Sequence, residues 1–252
     1  MLRGPIDPDV LRYCFHSALG TPLSAFVLDS RRRFATLVLR CGVPAPMTEK
    51  SEQLFLLAAV VSLLVLSGIG PRDRLTWMLE VTPVLIALPI LAATYVSFPL
   101  TQLIYRFIAL HAAILMLGGH YTYAEVPAGY WVRDLLGLAR NHYDRLGHFA
   151  QGFVPALIAR EVLLRRTPLR PGGWLFFLVV CVCLAVSAFY ELIEWWSAVV
   201  LGQGADAFLG TQGDHWDTQW DMFLALVGAV VAQLTLGRVH DRALRALERR
   251  PA

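Results

Sequence analysis

The chain has little charge for its size. Of its 252 residues only 16% are Asp, Glu, Lys or Arg, whereas 56% are hydrophobic. A soluble globular protein is roughly a quarter charged, so this composition is typical of a membrane protein whose main partners are lipids. The formal net charge of +3 is small and its basic residues are scattered. We therefore expect no nucleic acid partner, and nothing in the sequence identifies a protein partner.

Cysteine and catalytic signatures are also scarce. The chain has four cysteines, and two of them, Cys181 and Cys183, lie in an apolar run, which predicts neither a disulfide framework nor a zinc site. No spacing matches a metalloprotease, phosphatase or kinase motif, and no internal repeat is visible. The first strongly apolar run starts near Leu54 and is long enough to span a membrane, so we expect an uncleaved anchor.

Long apolar runs are what the chain does contain. A membrane-spanning helix needs about 20 mostly apolar residues. Six runs approach or exceed that length, and they predict an all-α, polytopic six-helix bundle. The six predicted spans cover residues 54–70, 77–98, 101–118, 146–164, 174–201 and 218–236.

The distribution of arginine predicts the orientation. Basic residues concentrate in connections on the cytoplasmic side of bacterial membrane proteins. Here they surround the connection between spans four and five and follow span six, which predicts both termini in the cytoplasm. Arg72 and Arg74 fall in an outside connection and count mildly against this topology. The residues that favour it are Arg160, Arg165, Arg166, Arg170, Arg238, Arg242, Arg245, Arg249 and Arg250.

Three regions follow from these patterns. Residues 1–46 carry arginine and proline and no run of spanning length, so they are a cytoplasmic arm or a gene-model extension preceding Met47. Residues 47–240 form the six-span domain, and residues 241–252 form a basic cytoplasmic tail.

Acidic and histidine side chains converge on the outer ends of four predicted spans. Asp214, Asp217 and Asp221 share one helical face, because their spacings are three and four. Asp144 and His148 are four residues apart in another span, and Glu191 and Glu194 are three apart in a third. The topology therefore predicts one polar layer on the non-cytoplasmic side.

Each group also has a structural interpretation. Asp214 or Asp217 could cap the last helix, and Thr218 with Asp221 resembles a capping box. Asp144 and His148 could form a local pair at the membrane interface. Glu191 and Glu194 are harder to explain in this way, because an ionised acid near the middle of a membrane costs about 2.5–3.5 kcal/mol.

The functional interpretation makes this layer a catalytic or cation-binding site. Carboxylates with a histidine can share a proton or hold a divalent cation, and an acid-rich set suits Mg²⁺ or Mn²⁺ better than zinc. The candidate acid/base residues are Asp144, His148, Glu191, Glu194 and Asp217. The candidate cation ligands are Asp214, Asp217, Asp221, Glu191 and His148.

Several longer motifs resemble the YjdF family of bacterial inner-membrane proteins. They are NHYDRLGHFAQGF at 141–153, YELIEWW at 190–196, FLGTQGDHWDTQWDM at 208–222, RLTWMLEVTP at 74–83 and GGHYTYAEVP at 118–127. The resemblance extends over residues 50–245 and implies an inner-membrane location and this number of spans, but it implies no activity. A weaker resemblance, to VanZ-like membrane proteins, rests on Asp144, Arg145, His148 and Phe149.

Three functions are compatible with these patterns. The first is an enzyme that acts on a lipid or lipid-linked substrate at the outer face. The second is an accessory membrane protein whose polar layer only holds the helices together. The third is a proton- or cation-coupled transporter that uses Glu191 and Glu194.

Overall fold

The described part of the chain is helical throughout. The computed structural model describes residues 48–202 and 206–249, and these contain no strand, which confirms the predicted all-α fold. The predicted arm of residues 1–46 and the end of the predicted tail, from residue 250, lie outside the described residues. A short 3₁₀ helix covers Tyr123–Glu125. The α-helices are α1 (Glu49–Ser67), α2 (Arg74–Thr94), α3 (Gln102–Tyr121), α4 (Pro127–Leu136), α5 (Tyr143–Arg166), α6 (Gly173–Leu201), α7 (Asp206–Leu209) and α8 (Asp217–Glu248).

Six of these helices are long, and they correspond to the six predicted spans. Five of them, α1, α2, α3, α6 and α8, are long and apolar enough to cross a membrane. The sixth, α5, has 24 residues but buries polar side chains such as Arg160 and Glu161. It packs on α3, α6 and α8, so these side chains face other helices and not lipid. α5 is therefore less hydrophobic than the other long helices because it is enclosed by them.

The long helices alternate in direction, which gives the bundle two distinct ends. The site end is the one at which α3 and α6 finish and α5 and α8 begin. The basic end is the opposite one, where α5 finishes among its arginines and α8 continues to Glu248. Since α8 is unbroken, neither the predicted span end at residue 236 nor the predicted domain boundary at residue 240 interrupts the helix.

Two of the three apolar clusters among the described residues each join three or more long helices, and α3 contributes to both. One cluster joins α1, α2 and α3 through residues such as Val81 and Met116. The other joins α3 to α5, α6 and α8 around Ile104, Leu157 and Val179. On α5 and α8, the residues of this second cluster lie between the polar residues of the site end and those of the basic end.

The backbones of α5 and α8 touch. A Cβ atom at Gly152 of α5 would overlap the carbonyl oxygen of Ala225, and one at Gly228 of α8 would overlap that of Phe149. Small residues allow membrane helices to approach at such close range, where packing and not the hydrophobic effect drives association. This contact fixes which residues of α5 and α8 face each other over their whole length.

A buried ionic network closes the basic end. Both oxygens of Glu161 accept hydrogen bonds from Thr101, whose backbone N–H and hydroxyl group both donate. Glu161 also accepts from Arg165 at 2.7 Å and pairs with His240 Nε2 at 3.0 Å. The network therefore ties α5 to α8 and to the connection between α2 and α3. We call it the Glu161–His240 network.

The protonation of His240 follows from its partners. The Arg160 guanidinium, which has no acceptor, lies 3.1 Å from His240 Nδ1 and also donates to Asp241 at 2.7 Å. Nδ1 must therefore accept, and the proton on Nε2 is donated to Glu161. Every charged group of this network thus has a partner, which is what a buried ionic network needs in order to be stable.

Substitution at the α5–α8 contact should destabilise the bundle. We expect Gly228→Ala to lower the free energy of unfolding by about 1–3 kcal/mol, because its methyl group would push the backbones apart. The matched control is Gly237→Ala, also on α8, where a Cβ meets nothing within 4 Å. Thermal unfolding of both variants in detergent tests this, and equal midpoints for the two would contradict the contact.

Candidate functional site

One imidazole lies at the centre of the site end. His148 Nε2 is 3.4 Å from Asp144 Oδ1 and 3.8 Å from Asp221 Oδ2, while Nδ1 is 3.8 Å from Glu191 Oε1. Nε2 therefore faces carboxylates of α5 and α8, and Nδ1 faces a carboxylate of α6. Asp144, His148, Glu191, Glu194 and Asp221 are called the carboxylate–histidine cluster below.

Local helical spacing and the α5–α8 contact together build this cluster. Asp144 and His148 are one turn apart on α5, and Glu191 and Glu194 are on one face of α6. Asp221 lies one turn before Ala225, at which α8 touches α5. The helices therefore deliver four carboxylates to one histidine.

The cluster has the geometry of a cation site on either side of the ring. Ligand atoms of Asp144, His148 and Asp221 all lie within 4.8 Å of one another, and so do those of His148, Glu191 and Glu194. The first three residues are buried, as is Glu191, and Glu194 is half-buried. Carboxylate oxygens and one imidazole nitrogen are suitable ligands for a divalent cation.

Several buried polar atoms of the cluster lack hydrogen-bond partners in the described part of the chain. They are Asp144 Oδ2, His148 Nδ1, Asp221 Oδ1 and both carboxylate oxygens of Glu191. A buried polar atom without a partner costs roughly 1–3 kcal/mol, and more when it is charged. The Glu161–His240 network also joins a buried carboxylate to a histidine, but there Thr101 and two arginines supply the hydrogen bonds.

Two arginines neutralise the acids at the rim of the cluster. Arg140 Nη1 lies 2.9 Å from Asp217 Oδ1 and 3.3 Å from Asp214 Oδ2, and Arg145 Nη2 lies 2.8 Å from the same Asp214 oxygen. The Trp216 backbone N–H, followed by these arginines, lowers the pKa of Asp214. Burial and the same two arginines lower the pKa of His142. The charges of the rim thus pair with one another, although Nε of both arginines has no hydrogen-bond partner among the described residues.

The structure separates the predicted site residues into two groups. Asp144, His148, Glu191, Glu194 and Asp221 come together around the imidazole, whereas Asp214 and Asp217 bind the rim arginines. The sequence suggested that Asp214 or Asp217 caps the last helix, but neither side chain does so. The N-cap of α8 is Trp216, with no side-chain cap, and Asp214 bonds the loop N–H of Trp216 at 3.0 Å.

Sequence reasoning missed two members of this region. Glu80 of α2 is buried, and the Tyr190 hydroxyl group lies 3.4 Å from its carboxylate. A lone acid within a predicted span could have indicated it, since an intramembrane acid is rarely placed without a reason. Arg140 lies in a connection, and no pattern in the sequence relates it to Asp217, which is 77 residues away.

The fold and the cluster define an all-α, multi-pass membrane protein with a buried cluster of acids and a histidine at one end of its bundle. The chain belongs to the family described as predicted membrane protein (DUF2238), whose family model matches residues 52–242. It is 55% identical over 202 residues to the inner membrane protein YjdF of Escherichia coli (strain K12). That alignment covers 79% of this chain and 97% of the relative, which confirms the resemblance to the YjdF family. No solved structure matches the chain.

The two ionic clusters should respond differently to removal of one charge. Glu161→Gln places an amide N–H₂ where an oxygen now accepts a hydrogen bond, so we expect a loss of about 3 kcal/mol in the free energy of unfolding. Glu191→Gln removes a buried charge whose neighbours are the Thr218 side chain and His148, with no arginine paired to it among the described residues, so its stability should be unchanged or higher. Thermal unfolding with EDTA present measures both. A larger loss for Glu191→Gln would contradict the assignment of roles.

Proposed function

We propose that this protein is an inner-membrane enzyme whose carboxylate–histidine cluster binds a divalent cation and acts on a lipid or lipid-linked substrate. One observation carries the proposal. Carboxylates from three helices converge on a single imidazole while several of their buried oxygens have no hydrogen-bond partner in the described part of the chain. Membrane helices rarely retain such acids without a functional reason.

The two ring nitrogens of His148 suggest two different roles. A cation held by Asp144, Asp221 and His148 Nε2 would leave Nδ1–H facing Glu191. A carboxylate that accepts the second N–H of a ligating histidine fixes the tautomer and the orientation of the ring. Asp214 and Asp217, which are candidate ligands from the sequence, would instead hold the rim arginines. The acid-rich ligand set favours Mg²⁺ or Mn²⁺.

The proposed chemistry is acid/base catalysis next to a cation that would act as a Lewis acid. A bound divalent cation polarises a phosphoryl or carbonyl oxygen and stabilises the negative charge that develops on it. Glu194 lies beside Glu191 at the less buried side of the cluster and is placed to take or give a proton. The position of the cluster near the ends of the spans suits a substrate whose reacting group lies at lipid headgroup level.

The orientation proposed from the sequence places this site outside the cytoplasm. The basic end contains the arginines of α5 and of the last turns of α8, and basic residues favour the cytoplasmic side. The Escherichia coli relative is named as an inner membrane protein. We therefore propose a bacterial inner-membrane location with both termini in the cytoplasm.

The accessory function is less well supported for this cluster than for the basic end. A polar layer that only holds helices together is expected to satisfy its donors and acceptors. The Glu161–His240 network does so, with both Glu161 oxygens and both His240 nitrogens bonded. The cluster around His148 leaves five buried atoms without partners among the described residues, counting Asp144, His148, Glu191 and Asp221.

Transport is less well supported because apolar packing separates the two polar ends. Ala156 and Leu157 lie between His148 and Glu161 on α5, and both are fully buried in the larger apolar cluster. Ala229 and Ala232 hold the same position between the acids of α8 and His240. A continuous polar path along the α5–α8 contact would have to replace this packing.

The enzyme proposal predicts lipid turnover that depends on the cation and on the cluster. Purified protein in liposomes of bacterial inner-membrane lipid extract should convert one lipid class when Mn²⁺ is added and should not do so with EDTA. We expect Asp144→Asn and Asp221→Asn to reduce the rate at least about 100-fold, since each removes a charged group at the reacting centre. Mass spectrometry of the extracted lipids measures the conversion.

The matched control for this experiment is Asp134→Asn. Asp134 is an exposed acid of α4 that pairs with Arg133 and lies outside the cluster, so its loss should leave the rate unchanged. A turnover that ignores EDTA and both cluster variants would refute the proposal. Absence of any turnover, with folded protein present, would favour the accessory function.

A further inference from the structure

The connection between α3 and α5 contains a helix that the sequence patterns treated as a loop. The helix, α4, begins with Pro127 at its first turn, where the missing N–H is not needed. It ends at Gly137, which has a positive φ of 64° and donates its N–H to the carbonyl of Arg133. Both ends are therefore defined by the chain itself, so α4 is a helix of three turns with fixed limits.

The two faces of α4 differ sharply. Gly129 is buried and Arg133 is half-buried, and they mark the face that packs toward the protein. The opposite face is apolar and fully open, with Trp131 75% exposed and Leu135 83% exposed. Its members follow helical spacing and are Ala128, Trp131, Val132, Leu135 and Leu136. In a soluble helix such a face would point into the core, whereas here it points away from every described helix.

Contacts at its N-terminal side hold α4 at the site end. The Asn141 side chain, just before α5, donates to the carbonyl of Val126, and a Cβ at Gly129 would overlap the same side chain. Glu125 pairs with Arg72, whose backbone N–H bonds to the last turn of α3. Six residues connect α4 to α5, and they reach at most about 20 Å. The apolar face therefore stays close to the ends of the membrane-spanning helices.

We propose that α4 is an interfacial helix, with its apolar face inserted in the lipid of the membrane that the long helices cross. An amphipathic helix with an aromatic residue on its apolar side is suited to the boundary between headgroups and acyl chains. Exposed tryptophans of α6 and α8, such as Trp196 and Trp220, mark the same end of the bundle. The lipid surface around the spans is thus continuous with the face of α4.

Charge and size favour the apolar part of the bilayer, whatever its headgroup charge, over other occupants of this face. Arg133 and Asp134 pair with each other at 2.6 Å, so the helix offers no excess positive charge to anionic headgroups. Insertion should therefore rest on apolar burial and be insensitive to anionic lipid. A second copy of the chain is a poorer fit, because five side chains are far fewer than the roughly 20–30 residues per partner of a stable interface.

This placement would bring lipid to the rim of the cluster. The chain leaves α4 at Gly137 and reaches Arg140, which binds Asp217, within three residues. Neither the position of α4 nor its lipid contact depends on a bound cation. The lipid contact can therefore be tested independently of the proposed enzyme function.

A fluorescent label on the apolar face of α4 and another on an exposed polar position beside it test the inference. In full-length protein with its four cysteines replaced by serine, Leu135→Cys or Asp134→Cys is labelled with an environment-sensitive fluorophore. The protein is then placed in nanodiscs of phosphatidylcholine containing a nitroxide-bearing lipid quencher. We expect the label at position 135 to be quenched at least threefold more strongly than that at 134, with the same ratio when anionic lipid is added. Both positions are exposed, so neither change should affect folding.

Two results would overturn the inference. Equal lipid quenching at both positions, with equal quenching by aqueous iodide, would place the apolar face in water. Disulfide cross-linking between Leu135→Cys protomers, without lipid quenching, would assign the face to a second copy of this chain. Circular dichroism and size-exclusion elution identical to the unlabelled protein serve as the folding control.

Discussion

The backbone contact between α5 and α8 determines the rest of the arrangement. Gly152 and Gly228 bring the two helices together so closely that their registers cannot slip without a clash. One turn from this contact, Asp221 faces His148, and farther along the same pair of helices His240 faces Glu161. Two polar clusters, separated by buried apolar packing, therefore depend on one stripe of small residues.

Both clusters join a buried histidine to carboxylates, but the network of the basic end also contains Thr101 and arginines. At the basic end, each oxygen of Glu161 binds a donor, and His240 has one donor and one acceptor as neighbours. At the site end, four carboxylates share one imidazole while the nearby arginines are engaged by Asp214 and Asp217. A satisfied network contributes stability and specificity, whereas an unsatisfied one carries a cost that binding or chemistry can offset.

Local patterns in the sequence predicted much of this. Run lengths identified the six long helices, and spacings of three and four placed Asp144 with His148 and Glu191 with Glu194. Partners that are distant in sequence were not predictable, because no local signal shows which helical faces meet. Glu80 beside Tyr190 is one such case, and Glu161 with His240, which are 79 residues apart, is another. The helix α4 was missed although Pro127, Gly137 and its apolar spacing are recognisable helix signals.

His148 and its carboxylates are proposed to form a cation site. Pulsed electron paramagnetic resonance of the Mn²⁺-loaded protein tests this most directly, because it detects nitrogen nuclei bound to the ion. We expect coupling to a single imidazole nitrogen, which disappears in His148→Gln while the protein remains folded. Bound Mn²⁺ that shows no nitrogen coupling, or coupling that persists in this variant, would contradict it.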